Sequence, residues 1–367
     1  MFNLHLDNKS FIVRATVVLL FLALVLLGLS YAKPVLVPLL GATLLAFLVL
    51  PVVRKLNECC LPNWLSCLLG VLTVVLSGLV LFSFLWWQVI SFIDDLPAMK
   101  TAVEVKKKEA FKYVEKEYHI SRRQQNNWLQ QKTDELWNSG SGSTMRFFSA
   151  TGAAVATFLL IPIFMFFILL YRDKFRQFLQ LLDPTNHDQI VEIFHRISLV
   201  AQHYVRGIAI VIMILTVLNT LGFLLLDLKY ALLLGFLAAV LNVIPYVGVL
   251  IGSLLPVGIA LVTKDSLMVA PGAFGVCVFV QFLENNFITP KIVGSSVNLN
   301  PFASMVAILT ASVIWGLPGM ILAIPMAGIF KVVCDYVVPL KPYGFLLGEE
   351  KDASPLRINA HKLLIWR

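Results

Sequence analysis

WLSCLLGVLTVVLSGLVLFSFLWWQVISFI, residues 64–93, runs without one charged side chain. A helix rises about 1.5 Å per residue, so the run reaches about 45 Å, against a bilayer hydrocarbon core of roughly 30 Å. A helix of a soluble core carries a polar face, which this stretch lacks. It is read as a transmembrane helix that tilts or projects beyond the lipid.

Similar apolar blocks lie on both sides. Residues 11–32 form one, and residues 34–53 a second, opened by Pro34 and Pro38 and closed by Pro51. Downstream are 149–171 with Pro162 inside, 207–226, 230–262, 267–290 and 302–338. The composition agrees: 59% of the 367 residues are hydrophobic and 14% charged, where a soluble chain has about a quarter charged. The expected fold is an all-α polytopic membrane protein of about eight transmembrane segments, some broken or re-entrant. Ser30 and Ala32 suit a signal-peptidase site, but the apolar run is longer than a signal core and Pro34 follows at once. The run is read as a retained first span.

Residues 94–146 differ, with interleaved Lys, Glu and Gln. Val103, Phe111, Val114 and Tyr118 make a helical stripe, Ser121 and Gln124 a capping box, and Gly140 to Ser143 a flexible joint. This is a small helical, extracytoplasmic insertion between spans one to three (1–93) and spans four to eight (147–340). Its Trp128 and Trp137 suit packing within the insertion, the membrane interface or a partner surface. Residues 172–206 are amphipathic, with Asn186 and Gln189 as a cap, Ile190, Ile193, Phe194, Ile197 and Tyr204 at helical spacing, and His195, Arg196 and His203 among them. They are expected to lie on the cytoplasmic membrane surface. Residues 341–367 form a cytoplasmic tail.

The net charge of +8 sits at helix ends and in the mixed-charge insertion, which excludes a nucleic-acid partner. With the N-terminus inside, inside stretches hold Lys9, Arg14, Arg54, Lys55, Arg172, Lys174, Arg176, Arg196, Arg206, Lys264 and the tail bases from Lys331 to Arg367. Short outside loops hold Lys33, Lys229 and Lys291. That asymmetry puts both termini in the cytoplasm of a multi-pass inner-membrane protein, with the bilayer as partner. Cys59, Cys60, Cys67, Cys277 and Cys334 show neither disulfide nor metal spacing. No HExxH, GxSxG or phosphate loop occurs, so neither an enzyme nor self-powered ATP transport is indicated, and no cofactor or metal is expected.

In hydrocarbon, backbone freed from a helix must be satisfied internally, so a break at membrane depth marks a cavity. Two breaks stand out: Asn242-Val-Ile-Pro245-Tyr246-Val-Gly248 and Gln281-Phe-Leu-Glu284-Asn285-Asn286-Phe-Ile-Thr289-Pro290. Proline kinks with small residues for helix packing would also produce them. Asn242, Pro245, Tyr246, Gly248, Asn285, Asn286, Thr289 and Pro290 are pathway candidates. Glu284 closes a long uncharged run. It is either a proton or cation carrier within the membrane or an interfacial residue paired with Lys291.

These segments carry a family resemblance. Leu241 to Gly252, Gln281 to Gly294 with Asn298 to Pro301, Trp315-Gly-Leu-Pro-Gly-Met-Ile-Leu-Ala-Ile-Pro325 and Tyr171-Arg-Asp173 resemble motifs of the autoinducer-2 exporter family of bacterial membrane transporters, over roughly residues 10–340. The resemblance implies an inner-membrane transporter that assembles as a homo-oligomer, a pentamer among the allowed states. Some members are linked to export of the quorum-sensing furanone autoinducer-2, and others resemble Na⁺/H⁺ antiporters. Three functions stay open: gradient-driven export of a small polar organic solute coupled to H⁺ or Na⁺; Na⁺(Li⁺)/H⁺ antiport with Glu284 as the ion site; and a non-transporting scaffold using the insertion.

Overall fold

The computed structural model describes residues 8–59, 61–95, isolated positions between 97 and 131, 159–182, 187–245, 247–264, 266, 268–293 and 297–349. Most of the 94–146 insertion, Asn186, Tyr246, Gly294 and the tail beyond 349 lie outside them. The protein is an all-α polytopic membrane protein, with no strand among the described residues. Its helices are α1 (Asn8–Tyr31), α2 (Lys33–Glu58), α3 (Asn63–Asp94), α4 (Leu159–Leu170), α5 (Arg172–Leu182), α6 (His187–Leu225), α7 (Ala231–Leu241), α8 (Val247–Thr263), α9 (Val269–Leu283), α10 (Pro301–Trp315), α11 (Leu317–Tyr336) and α12 (Lys341–Leu347). Five are long and apolar enough to cross a bilayer: α1 from Val13, α2, α3, α6 from Asp188, and α11. Helix α9 continues through a π-helical turn, Glu284–Ile288, into Thr289–Ile292. Its 269–292 rod is then about 36 Å long, enough to span.

The chain forms two compact units, one of Met1–Phe47, Thr157–Ala201 and Val297–Arg367, the other of Leu48–Ala156 and Gln202–Ser296. In the first, α10 and α11 make a hairpin turning on Gly316, whose φ of 68° is open to glycine. At its tip the Trp315 indole N–H donates to the Leu29 carbonyl at 2.9 Å, and Ser30 Oγ donates to the Ile314 carbonyl at 3.3 Å. At its base Asn300 caps α10 by accepting from Ala303 N at 2.7 Å. The same side chain donates to the Leu346 carbonyl at 2.7 Å and the Gly348 carbonyl at 3.1 Å. The block 302–338 is thus two antiparallel helices, and residues 341–348 are docked on Asn300 instead of starting a free tail. Beside that base, Gln189 Nε2 donates to the Tyr336 carbonyl at 2.5 Å, a tertiary contact where a local cap was expected. Arg196, hydrogen-bonded to Glu192 at 2.7 Å, holds that carboxyl below its ordinary range. Helix α6 runs unbroken from 187 to 225, so residues 187–206 of the amphipathic stretch are continuous with span five, while 172–182 form the separate α5.

The second unit holds the other break. Block 230–262 is a hairpin of α7 and α8, with a turn at 242–245 following α7. At about 16 and 26 Å, the two helices run antiparallel as one hairpin. Two neighbouring pairs fix its antiparallel register: Gly248 lies against Leu241, and Gly252 against Ala238. Lipid is as apolar as a side chain, so association depends on close packing of small residues. Ala231, Ala260, Ala270 and Ala273 accordingly pack with Phe223, Leu228, Leu234 and Ile259 in one buried cluster.

The hairpin corrects the expected grouping of charges. Lys264 Nζ pairs with Asp227 at 2.5 Å and holds that carboxyl below its ordinary range. Lys229 pairs with Asp95, and Lys106 Nζ donates to the Lys264 carbonyl at 3.0 Å. Lys264 therefore shares one end with Lys229 and the start of the insertion, not the opposite face. Gly207 packs on Ile292 and Val293, which puts Lys291 with Arg206 at the other end. Cysteines substituted at Lys229 and Lys264 are expected to react with an impermeant maleimide from the same membrane face, and a cysteine at Lys291 from the other. Labelling of Lys229→Cys and Lys264→Cys from opposite faces would contradict the hairpin.

Candidate solute cavity

Where α6, α7, α8 and α9 meet, the second unit carries an open-sided cavity of about 480 Å³. Its wall is largely apolar: Leu215, Ala238, Val249, Leu250, Phe274, Val278, Val280 and Phe282 line it. Six polar side chains interrupt the wall: Asn219, Asn242, Ser253, Gln281, Asn285 and Asn286. Each comes from a particular local feature. Asn242 is the C-cap of α7, where the Pro245 turn stops the helix. Gln281, Asn285 and Asn286 straddle the start of the π-turn, whose wider coil changes the face a residue presents. Asn219 lies in mid-helix on α6, buried, with Nδ2 donating to the Leu215 carbonyl at 2.9 Å.

The sequence candidates separate on this geometry. Asn242, Asn285 and Asn286 come together on the cavity wall. Pro245, Gly248, Thr289 and Pro290 do not line it. Pro245 makes the turn, and Gly248 lets the hairpin close, since a Cβ there would sit 1.6 Å from the Leu241 carbonyl oxygen. Pro290 is exposed beyond the π-turn. Tyr246 lies outside the described residues. Asn219, Ser253 and Gln281 are new. The available signal for Asn219 was an amide inside the apolar run 207–226, away from either break.

Glu284 is buried at 8% exposure yet is absent from the cavity wall. Its partners are Thr289, whose hydroxyl donates to Oε1 at 2.5 Å, and Gln281, whose Nε2 donates to Oε2 at 2.7 Å. Among the described residues it makes no ion pair, with Lys291 or any other base. A buried carboxylate needs such donors, because burial without them costs several kcal/mol. Among the described residues no His, Cys, Asp and Glu cluster could hold a metal ion.

A helical membrane domain broken around an amide-lined cavity has the organisation of a membrane transporter. The chain belongs to the AI-2E family of transporters, whose model, described as AI-2E family transporter, matches residues 19–338. It is 26% identical over 330 residues to YueF of Bacillus subtilis (strain 168), provisionally named a transport protein, covering 87% of this chain and 88% of YueF. It is 26% identical over 311 residues to PerM of Escherichia coli (strain K12), provisionally named a permease, covering 81% and 86%. Over 140 residues it is 35% identical to YrrI of Bacillus subtilis (strain 168), a match spanning 38% of either chain.

Proposed function

We propose that this chain exports a small, uncharged, polyhydroxylated organic solute, driven by a proton gradient, with the solute seated in the amide-lined cavity. The carrying observation is the wall itself: carboxamides and a hydroxyl in an apolar pocket, without Asp, Glu, Lys, Arg or His. Amides offer both donors and acceptors, as do hydroxyls, so such a wall matches a neutral polyol. The volume suits a small ligand. Autoinducer-2, a furanone, has this chemistry. Glu284, buried beside the wall, is the proton-coupling group.

The same reading places the protein in a bacterial inner membrane with both termini cytoplasmic. Counting α7–α8 as re-entrant and α10 and α11 as separate crossings gives eight passages. Arg54, Lys55, Arg172, Lys174, Arg176, Arg206 and Lys291 then fall inside, and Lys33, Lys229 and Lys264 outside, the sense of the positive-inside bias.

The test uses purified protein in proteoliposomes with an internal pH dye and an imposed proton gradient. Labelled autoinducer-2 is expected to move with protons, while Na⁺, Li⁺ and K⁺ alone evoke no response. Proton movement triggered by Na⁺ or Li⁺ without solute would replace this reading with antiport.

A further inference from the structure

Resting on the reading of Glu284 as proton carrier, we propose that Gln281 is the positioning residue that transmits its protonation to the cavity, by flipping its amide and that of Asn285. Glu284 does not touch the cavity; Gln281 and Asn285 do. The Gln281 amide nitrogen donates to Glu284 Oε2 at 2.7 Å and to Asn285 Oδ1 at 3.2 Å. One –NH₂ group thus bridges the buried carboxylate to a wall residue.

The polarity of this chain of bonds is set by charge. An ionised carboxylate only accepts, so Gln281 must turn its –NH₂ toward it. That orientation makes Asn285 present its carbonyl oxygen to Gln281 and leaves the Asn285 –NH₂ for the cavity. When Glu284 takes a proton from water onto Oε2, that oxygen becomes a donor. Gln281 satisfies that new donor by turning its carbonyl inward. Two carbonyls cannot face each other, so Asn285 turns as well, and its carbonyl replaces its –NH₂ at the wall. Each proton bound or released exchanges a donor for an acceptor at the solute site, which changes the affinity for a hydroxylated solute. The π-turn suits this role, because it puts residues 281, 284, 285 and 289 within bonding reach of one another.

Few charges compete for control. Helices α7 and α8 carry no titratable side chain. Helix α9 and its extension carry Cys277 and Lys291, and α6 brings His203, Tyr204 and Arg206 at the end where Gly207 meets Ile292. None of these is bonded to Glu284.

The decisive experiment is infrared difference spectroscopy between acid and neutral pH on the reconstituted full chain carrying carbon-13 amide-labelled glutamine. It needs no solute. The wild type is expected to show a protonated-carboxyl band together with a shift of the labelled amide band. Glu284→Gln should lose the amide shift and the one component of the carboxyl band that belongs to residue 284, the other 20 Asp and Glu carboxyls still contributing theirs. Asn285→Leu should keep the carboxyl band and change the amide shift, because Gln281 then turns without its second partner. Gln281→Met and Gln281→Leu should keep the carboxyl band and lose the amide shift, and thermal melts identify either variant that misfolds. A carboxyl band identical in wild type and Glu284→Gln would overturn the reading of Glu284 itself. A Glu284 carboxyl band with an amide shift unchanged in the folded Gln281 variants would leave that reading standing and overturn the relay.

Discussion

Gly248→Ala is expected to unseat the α7–α8 hairpin and abolish transport. A Cβ there would lie 1.6 Å from the Leu241 carbonyl oxygen, 2.5 Å from its carbon and 3.2 Å from Asn242 N. All three are backbone atoms, so no rotamer change relieves the clash. The Leu241 carbonyl also accepts from Ile244 N at 2.8 Å, so pushing it away breaks the bond that shapes the turn. Asn242 then moves with it, off the cavity wall. The cost is expected at the upper end of the overpacking range, about 3 kcal/mol. Gly258 on the same helix is the control, since a Cβ there meets nothing within 4 Å. Gly258→Ala should be neutral or stabilise by about 0.5–1 kcal/mol through helix propensity. Thermal melts in detergent compare the two, and equal melting temperatures would show that the close approach is absent.

Glu284→Gln is expected to separate solute movement from the proton gradient. The replacement keeps size and shape, and its carbonyl still accepts from Thr289 or Gln281, so the π-turn should hold. The side chain no longer changes charge. Downhill flux should persist with a flattened pH profile, while gradient-driven accumulation falls about tenfold or more, equivalent to about 1.4 kcal/mol of lost coupling. Glu284→Ala should behave differently, because it strands the Gln281 and Thr289 donors in a buried site at about 1–3 kcal/mol. Flux at several external pH values, alongside melts of both variants, checks this. Intact pH dependence in Glu284→Gln would remove the residue from coupling.

The membrane fold was legible because uncharged runs such as 64–93 have one physical outcome in a lipid solvent. Pro245 also announced a helix break, whereas at the Glu284 motif the helix continues through a π-turn. The shape of each break was not readable. Asn242 to Gly248 gave the same signal whether the helix kinked or reversed, and the deciding facts are tertiary, the approaches of Gly248 to Leu241 and Gly252 to Ala238. That ambiguity carried Lys264 to the wrong end, since one crossing more or less inverts every later loop. Gln189 was read as a local cap because capping boxes are sequence-local, whereas its partner, Tyr336, is far along the chain. Of the site, the amides at 242, 285 and 286 were visible beside breaks. Asn219 and Ser253 were hidden because a polar residue in an unbroken helix shows which face it occupies only after packing.

The most direct test of the cavity as the solute site uses Cys277, which lines it, as the sole cysteine, with Cys59, Cys60, Cys67 and Cys334 replaced. Its rate of reaction with N-ethylmaleimide in proteoliposomes is measured with and without autoinducer-2, and with Na⁺ or Li⁺ in its place. The account predicts that the neutral solute slows labelling in a saturable way and that the cations do not. Protection by Na⁺ or Li⁺, or unchanged labelling while the solute is being transported, would contradict it.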